Sequence, residues 1–275
     1  MKWRAVRTIA RKDLAEVRRN KSAWMPALIV PLVFVVVLPL FIIFLPGVLN
    51  IPTDAIFSEH GWGAFIHRMP ITLLRELQDM TAPQVWVVWM TGYMLAPLFL
   101  MLPLTFSCIV GADSFVGERE RKTLEALLNT PTSDGDLFLG KVLASVLPAI
   151  AISWLSFGVY TLVVNAAGWS LMGGLWFPRP TWWPLILWVT PAVATLGMAA
   201  TVLVSSRVNT FMEAYQLSGL LMVLVLGLVV GQVSGVLVLN SGVMLTVGVL
   251  VWAVDAILLR FSVRTLARQK LIVRL

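Results

Sequence analysis

The chain is poor in charge: of its 275 residues only 13% are Asp, Glu, Lys or Arg, against 59% that are hydrophobic. Soluble domains carry about a quarter charged residues, so that class is excluded. There is a single cysteine, Cys108, which rules out an intrachain disulfide. The only histidines, His60 and His67, lie outside the apolar runs, and no run carries two carboxylates. A hydrolase working inside the membrane, which needs paired catalytic groups there, is therefore disfavoured. An external metal site built from Glu59, His60, His67, Glu76 and Asp79 has no recognised ligand spacing; these residues are read as solvated, with no metal.

What the sequence has instead is a set of six long apolar runs: Ala23–Pro46, Val85–Val110, Val142–Ala166, Trp182–Ser205, Leu217–Val238 and Gly242–Leu259. Each is long enough to cross a hydrocarbon core of roughly 30 Å as a helix. The runs are continuously apolar rather than alternating, which favours helices over a barrel. The expected fold class is thus an all-α integral membrane protein forming a single transmembrane domain over residues 1–275. The first run is too long for a signal-peptide core and lacks a cleavage site, so it is expected to be retained.

The formal charge of +7 follows from topology rather than from nucleic-acid binding. With six spans and the N-terminus inside, 18 of the 21 Lys and Arg residues fall on the cytoplasmic side, leaving Arg68, Arg75 and Arg179 outside. This asymmetry places both termini in the cytoplasm of a plasma or inner membrane protein. Residues 3–21 form an amphipathic helix, with Trp3, Val6, Ile9, Ala10, Leu14 and Val17 on one side and arginines on the other. Such a helix suits an anionic lipid surface. Asp13 stands on its apolar side, a pointer to a protein partner there.

The largest outer segment is 47–84. Trp62, Trp86, Trp89, Trp169, Trp176, Trp182, Trp183 and Trp188 gather at the outer boundary and read as an interfacial aromatic belt. Gly227, Gly231 and Gly235 recur every fourth residue in the fifth run, a face on which another helix can approach, within the chain or across a dimer axis. Asp255 is the sole carboxylate within a run and is expected to pair with Arg207, Lys141 or the basic tail of the sixth helix. The scattered polar groups Thr91, Thr105, Ser107, Asn165, Gln216 and Gln232 form no charge cluster that demands an ionic cargo.

The stretch Gly135–Val142, GDLFLGKV, imitates a phosphate-binding loop. A working loop needs a preceding strand and a Ser or Thr after the lysine. Here Val142 follows Lys141, and a membrane span follows that. The four cytoplasmic segments total 80 residues in separate pieces, short of the roughly 100–200 that a nucleotide-binding domain requires. Ser133 is instead a helix cap, with Asp134 and Asp136 in the first turn, and Lys141 is read as snorkelling toward the headgroups.

Upstream lies Phe115–Lys141, FVGERERKTLEALLNTPTSDGDLFLGK. Helical spacing pairs Glu118 with Lys122 and Arg121 with Glu125, beside a stripe of Leu124, Leu127 and Leu128, and Pro131 ends the helix. A short amphipathic helix over 115–129, with a leucine edge that needs covering, is expected between spans two and three. The charge cluster, the TLEALL core, the proline and the LGK before span three resemble the type-2 ATP-binding-cassette exporter permeases of the type V fold. Six spans preceded by an interfacial helix look like that family as well.

The resemblance implies a permease with no ATPase site of its own and no cofactor in this chain. ATP and Mg would be bound by a separate ATPase subunit, two copies of which would serve two permeases, either identical or paralogous. It makes 115–129 the coupling helix and puts Glu118, Arg119, Glu120, Arg121, Thr123, Leu124 and Glu125 at or near the ATPase. It also lets spans two and five line the substrate route, for a hydrophobic or amphipathic cargo such as a lipid, peptide or drug. Ion export, an ATP-independent secondary transporter and a membrane scaffold are the alternatives. The chain departs from the family in one respect: only Leu239–Ser241 separates spans five and six, where well-known members carry a sizeable outer element.

Overall fold

The computed structural model describes residues 3–19, 29–48, 77, 79–121, 133–234 and 240–265. Among these residues the structure is all helical, with six helices long and apolar enough to cross a membrane. They follow the interfacial helix α1 (Trp3–Arg19) and are α2 (Ile29–Val48), α3 (Ala82–Glu120), α4 (Asp134–Met172), α5 (Trp182–Ser205), α6 (Phe211–Val233) and α7 (Ser241–Thr265). The six apolar runs thus each become one spanning helix. The second and third are longer than expected: α4 has 39 residues, roughly 58 Å at 1.5 Å per residue. That exceeds a hydrocarbon core by some 28 Å, so α3 and α4 project beyond the bilayer.

α3 and α5 are buried along most of their length, whereas α2, α6 and α7 turn mostly exposed apolar side chains outward. α3 packs against both α5 and α4, and α7 lies along α5. The close crossing of α3 and α5 has a local cause. A Cβ added to Gly197 would lie 2.3 Å from Ser107 Oγ and 3.1 Å from both Cys108 Sγ and Leu104 Cδ1. Only a residue without a side chain fits there.

One end of the bundle is aromatic. Phe99, Phe157, Tyr160, Phe177 and Trp182 interlock there, with Tyr160 and Trp182 stacked 5.1 Å apart and both fully buried. The π-type turn over Val88–Met94 in α3 sends the Leu95 amide to the Met90 carbonyl. The Thr91 and Gly92 carbonyls are then taken by neighbours: Tyr160 Oη donates to Thr91 at 2.5 Å and Trp182 Nε1 to Gly92 at 2.7 Å. Trp89 and Trp182 are therefore core residues rather than members of an interfacial belt, because their rings close gaps between helices. Trp169, Trp183 and Trp188 keep the exposed character expected of a belt, and Trp62 lies outside the described residues.

At Gly227 the glycine ladder of α6 meets no other helix among the described residues, and an added Cβ would find nothing within 4 Å. Gly235 lies outside the described residues.

Replacing Gly197 by Val forces a branched side chain into the α3–α5 crossing. The expected loss is about 1–3 kcal/mol, read as a lower thermal-unfolding midpoint of the full chain in lipid nanodiscs. At Gly158 an added Cβ meets open space, and Gly158→Ala should hold or raise the midpoint; equal behaviour of the two variants would contradict the close crossing.

Candidate functional site

The opposite end of the bundle is charged. α4 begins there under a Ser133 cap, whose side chain accepts a hydrogen bond from the Asp136 amide at 3.1 Å. Two turns on come Gly140 and Lys141. The interfacial helix α1 lies against this point, so closely that a Cβ on Gly140 would stand 2.9 Å from Ile9 Cβ and 3.2 Å from the Val6 carbonyl oxygen. Val6, Ile9 and Asp13 are the buried face of α1, while Trp3 and Leu14 are exposed. Part of the stripe expected to meet lipid is thus used up on α4, and the partner implied by Asp13 belongs to the same chain.

That partner is Lys141, only 2% exposed. Its ammonium donates to Glu118 Oε2 at 2.6 Å, to the Ser114 carbonyl at 2.5 Å and to Asp13 Oδ2 at 3.4 Å, and it stands 5.2 Å from the centre of the Phe115 ring. An ammonium has three protons, and here each has an acceptor. This corrects the expectation that Lys141 snorkels to headgroups: two carboxylates within reach make the interior the better place. Glu118 is wholly buried and completes the cluster through Oε1, which accepts from Lys12 Nζ at 2.5 Å. Two cations and two anions balance. Burial pushes the Asp13 carboxyl above its usual value of 3.8; Lys141 pulls the other way and Glu118 adds to the rise.

The three residues after Glu118 reach elsewhere. Arg119, through Nη2, donates to the Val208 carbonyl and to the Ser205 carbonyl, the latter at 3.2 Å. Glu120 Oε2 accepts from the Phe211 amide at 2.9 Å. Arg121 folds back along α3 to Asp113 at 2.9 Å. The fold-back crosses Gly117, where a Cβ would sit 2.9 Å from Asp113 Oδ1 and 3.2 Å from Arg121 Nη1. Four consecutive charged residues therefore fasten α3 to α1 and α4, to the end of α5, to the start of α6, and to itself.

Glu118, Arg119, Glu120 and Arg121 each find partners distant in sequence, while Lys122 and Glu125, the local partners expected for Glu118 and Arg121, lie outside the described residues. Phe115–Glu120 continue α3 rather than starting a separate surface helix. Thr123, Leu124 and Glu125, with Lys122 and the rest of 122–132, lie outside the described residues. Glu118 is sealed within the chain. Sequence reasoning missed Lys12, Asp113, Ser114 and the 205–211 turn as members of this site. A usable signal existed for one pair: Asp13 and Lys141 both interrupt apolar helix faces with opposite charge.

Among the partners expected for Asp255, residues 266–275 of the basic tail lie outside the described residues. Asp255 is fully buried, and neither carboxylate oxygen has a hydrogen-bond partner among the described residues. Lys141 is engaged by the cluster and Arg207 is exposed. Of the scattered polar groups, Thr91, Ser107 and Asn165 bond backbone within the chain. Gln232, in contrast, is buried with its amide unpartnered among the described residues. No group of three His, Cys, Asp or Glu residues is placed to hold a metal ion among the described residues; Glu59, His60, His67 and Glu76 lie outside them.

A family model described as ABC-2 family transporter protein matches residues 7–267. The chain belongs to this family. The match runs from α1 through α7, so the charged cluster and all six spans are inside it. Comparison with the curated proteins finds no match. As an ABC-2 permease the chain is a transport protein of the membrane that works with an ABC ATPase subunit, and subunits of this kind are not themselves ATPases.

Lys141→Met strands Glu118 and Asp13 together in the interior. Breaking a buried pair in this way is expected to remove about 3–5 kcal/mol, measured by thermal unfolding of the purified permease. Asp13→Asn should cost far less, because it removes a carboxyl that burial already penalises. Since the folded Asp13 carboxyl keeps its proton to higher pH than an unfolded one, its stabilising contribution is full at acid pH and is lost as pH rises from about 4 through its folded value. Asp13→Asn should flatten that pH dependence, and an unchanged profile would count against the assignment. Asp255→Leu removes a buried carboxylate that has no hydrogen-bond partner among the described residues; it should leave the unfolding midpoint unchanged or raise it, whereas a structural ion pair would make it fall.

Proposed function

We propose that the chain is the permease of an ABC exporter that moves a hydrophobic or amphipathic cargo, driven by a separate ATPase subunit present in two copies and paired with a second permease, identical or paralogous. The charged end faces the cytoplasm of a plasma or inner membrane, with both termini there, in keeping with the distribution of Lys and Arg. The coupling segment spans 115–129. Within it Thr123, Leu124 and Glu125 meet the ATPase, Arg119, Glu120 and Arg121 lie beside that contact, and Glu118 holds the base of the segment in the membrane domain. ATP and Mg reside in the partner; this chain holds no cofactor.

The single observation that carries this reading is the fastening of Glu118–Arg121 to four separate parts of the bundle. A lever must be stiff where it joins the load. At Glu118 and Lys141 the charges are buried and resist separation, because each would be left uncompensated at low dielectric. A push on the segment from the ATPase then moves α3, α4 and α1 as bodies, which changes the side to which a central cavity opens. The mostly exposed apolar faces of α6 and α7 and the open space at Gly227 suit contact with the second permease along α6. An apolar cavity wall with few charged groups suits a lipid, peptide or drug better than an ion.

Leu124→Arg and Glu125→Lys should leave the permease in the membrane with an unchanged unfolding midpoint. Each should weaken association with the ATPase subunit about tenfold or more, the scale of an interface hot spot, and should abolish stimulated ATP hydrolysis. Unchanged stimulation, or ATP hydrolysis by the purified permease alone, would sink the proposal.

A further inference from the structure

The contacts of Arg119 and Glu120 are arranged by sign. Ser205 is the last residue of α5 and Val208 lies just beyond it. The final carbonyls of a helix have no partner within it and carry the negative end of the helix dipole. The Arg119 guanidinium is placed on one of them, the Ser205 carbonyl, and on the Val208 carbonyl of the turn that follows. Phe211 opens α6, where unpaired amides carry the positive end, and a carboxylate is placed there. Adjacent residues of α3 thus grip the two ends of one turn with complementary charge.

The turn itself is stiff. Thr210 caps α6 by accepting from the Glu213 amide at 3.2 Å, and Glu213 Oε2 accepts in return from the Asn209 and Thr210 amides at 3.0 and 3.4 Å. Beneath it Ala112 and Val116 of α3 pack with Val208 and Ala214, flanked by Phe211 and Tyr215. α6 is held less firmly farther along. Only 17% of its apolar stretch is buried, and from Met222 to Val233 the buried residues are Val225 and Gln232. It is a helix gripped at one end.

We propose that Arg119 and Glu120 are positioning residues that transmit movement of the coupling segment to α6 through the 205–211 turn. The proposal rests on the reading of 115–129 as the segment pushed by the ATPase. It adds that α6 is driven from the cytoplasmic turn rather than carried passively by its packing on α3. Glu118 and Lys141 serve α1 and α4; Arg119 and Glu120 form a second, separate route for the same push. Neither residue touches cargo or nucleotide.

The test uses the full permease assembled with its ATPase subunit in lipid nanodiscs. Cys108→Ser gives a background free of cysteine in this chain, since the chain has no other. Spin labels are placed at Leu147 of α4 and Leu224 of α6, which are 55% and 58% exposed. The 147–224 distance is read without nucleotide and with ATP trapped by vanadate, beside stimulated ATP hydrolysis and the unfolding midpoint. The expected result is a nucleotide-dependent shift in the parent protein. Glu120→Gln and Arg119→Ala should lose the shift while retaining stimulated hydrolysis; Arg119→Lys, which keeps a donor, should restore part of it.

A shift that persists in Glu120→Gln and Arg119→Ala overturns the proposal. Loss of stimulated hydrolysis in Glu120→Gln at an unchanged midpoint overturns it as well, because that places Glu120 in the ATPase contact itself. Should Arg119→Ala fail to fold, Glu120→Gln, at an exposed position, decides alone. Failure of the underlying reading looks different: the parent protein would then show neither stimulated hydrolysis nor any nucleotide-dependent shift.

Discussion

A lysine ammonium at the head of a membrane helix, closed off from water, governs the arrangement of the charged end. Taking such a group out of water costs several kcal/mol unless its charge and its protons are all answered. Lys141 is answered by Glu118, Asp13 and the Ser114 carbonyl, and each of those belongs to an element that must then be in place. α1 has to lie against α4 for Asp13 to arrive, and Gly140 is what lets it. The α3 helix has to continue past the bilayer for Glu118 to arrive. The geometry of three elements follows from one unaffordable alternative, a bare charge in the interior.

The same end of the molecule is held by more than exposed ion pairs. Salt bridges at exposed sites yield readily and contribute little. Those around Glu118 are shielded, with Lys12 alone partly open at 36% side-chain exposure. Helix termini supply the remaining anchorage, because their unsatisfied amides and carbonyls are fixed partial charges that move only when the helix moves. Charged side chains of α3 that address the ends of α5 and α6 are therefore joined to whole rods rather than to flexible side chains.

The six spans were legible because hydropathy is a local property: each apolar run needs no knowledge of any other. The Ser133 cap was legible for the same reason. The electrostatic site was half legible. Glu118 to Arg121 stood out as a cluster, yet helical spacing offered them neighbours three or four residues away, and the structure gives Glu118 a partner 106 residues back in Lys12 and another 23 residues on in Lys141. Spacing rules look only three or four residues along one helix, whereas Glu118 is buried against two other helices, so its distant partners lie beyond the reach of those rules. Trp89 and Trp182 misled for a related reason: indoles enriched at interfaces are also the best fillers of gaps between helices, and sequence does not tell which side a ring faces.

The wide turn of α3 at Val88–Met94 bears on how the protein is made. Its Thr91 and Gly92 carbonyls are served by Tyr160 and Trp182, which lie 69 and 90 residues later in the chain. Hydrocarbon offers no hydrogen bonds, so main-chain groups left open there carry a cost of several kcal/mol each. During synthesis α3 leaves the ribosome well before either donor exists. The two side-chain donors to this turn come from the third and fourth spanning helices, so its full set of hydrogen bonds is complete only once both lie beside it.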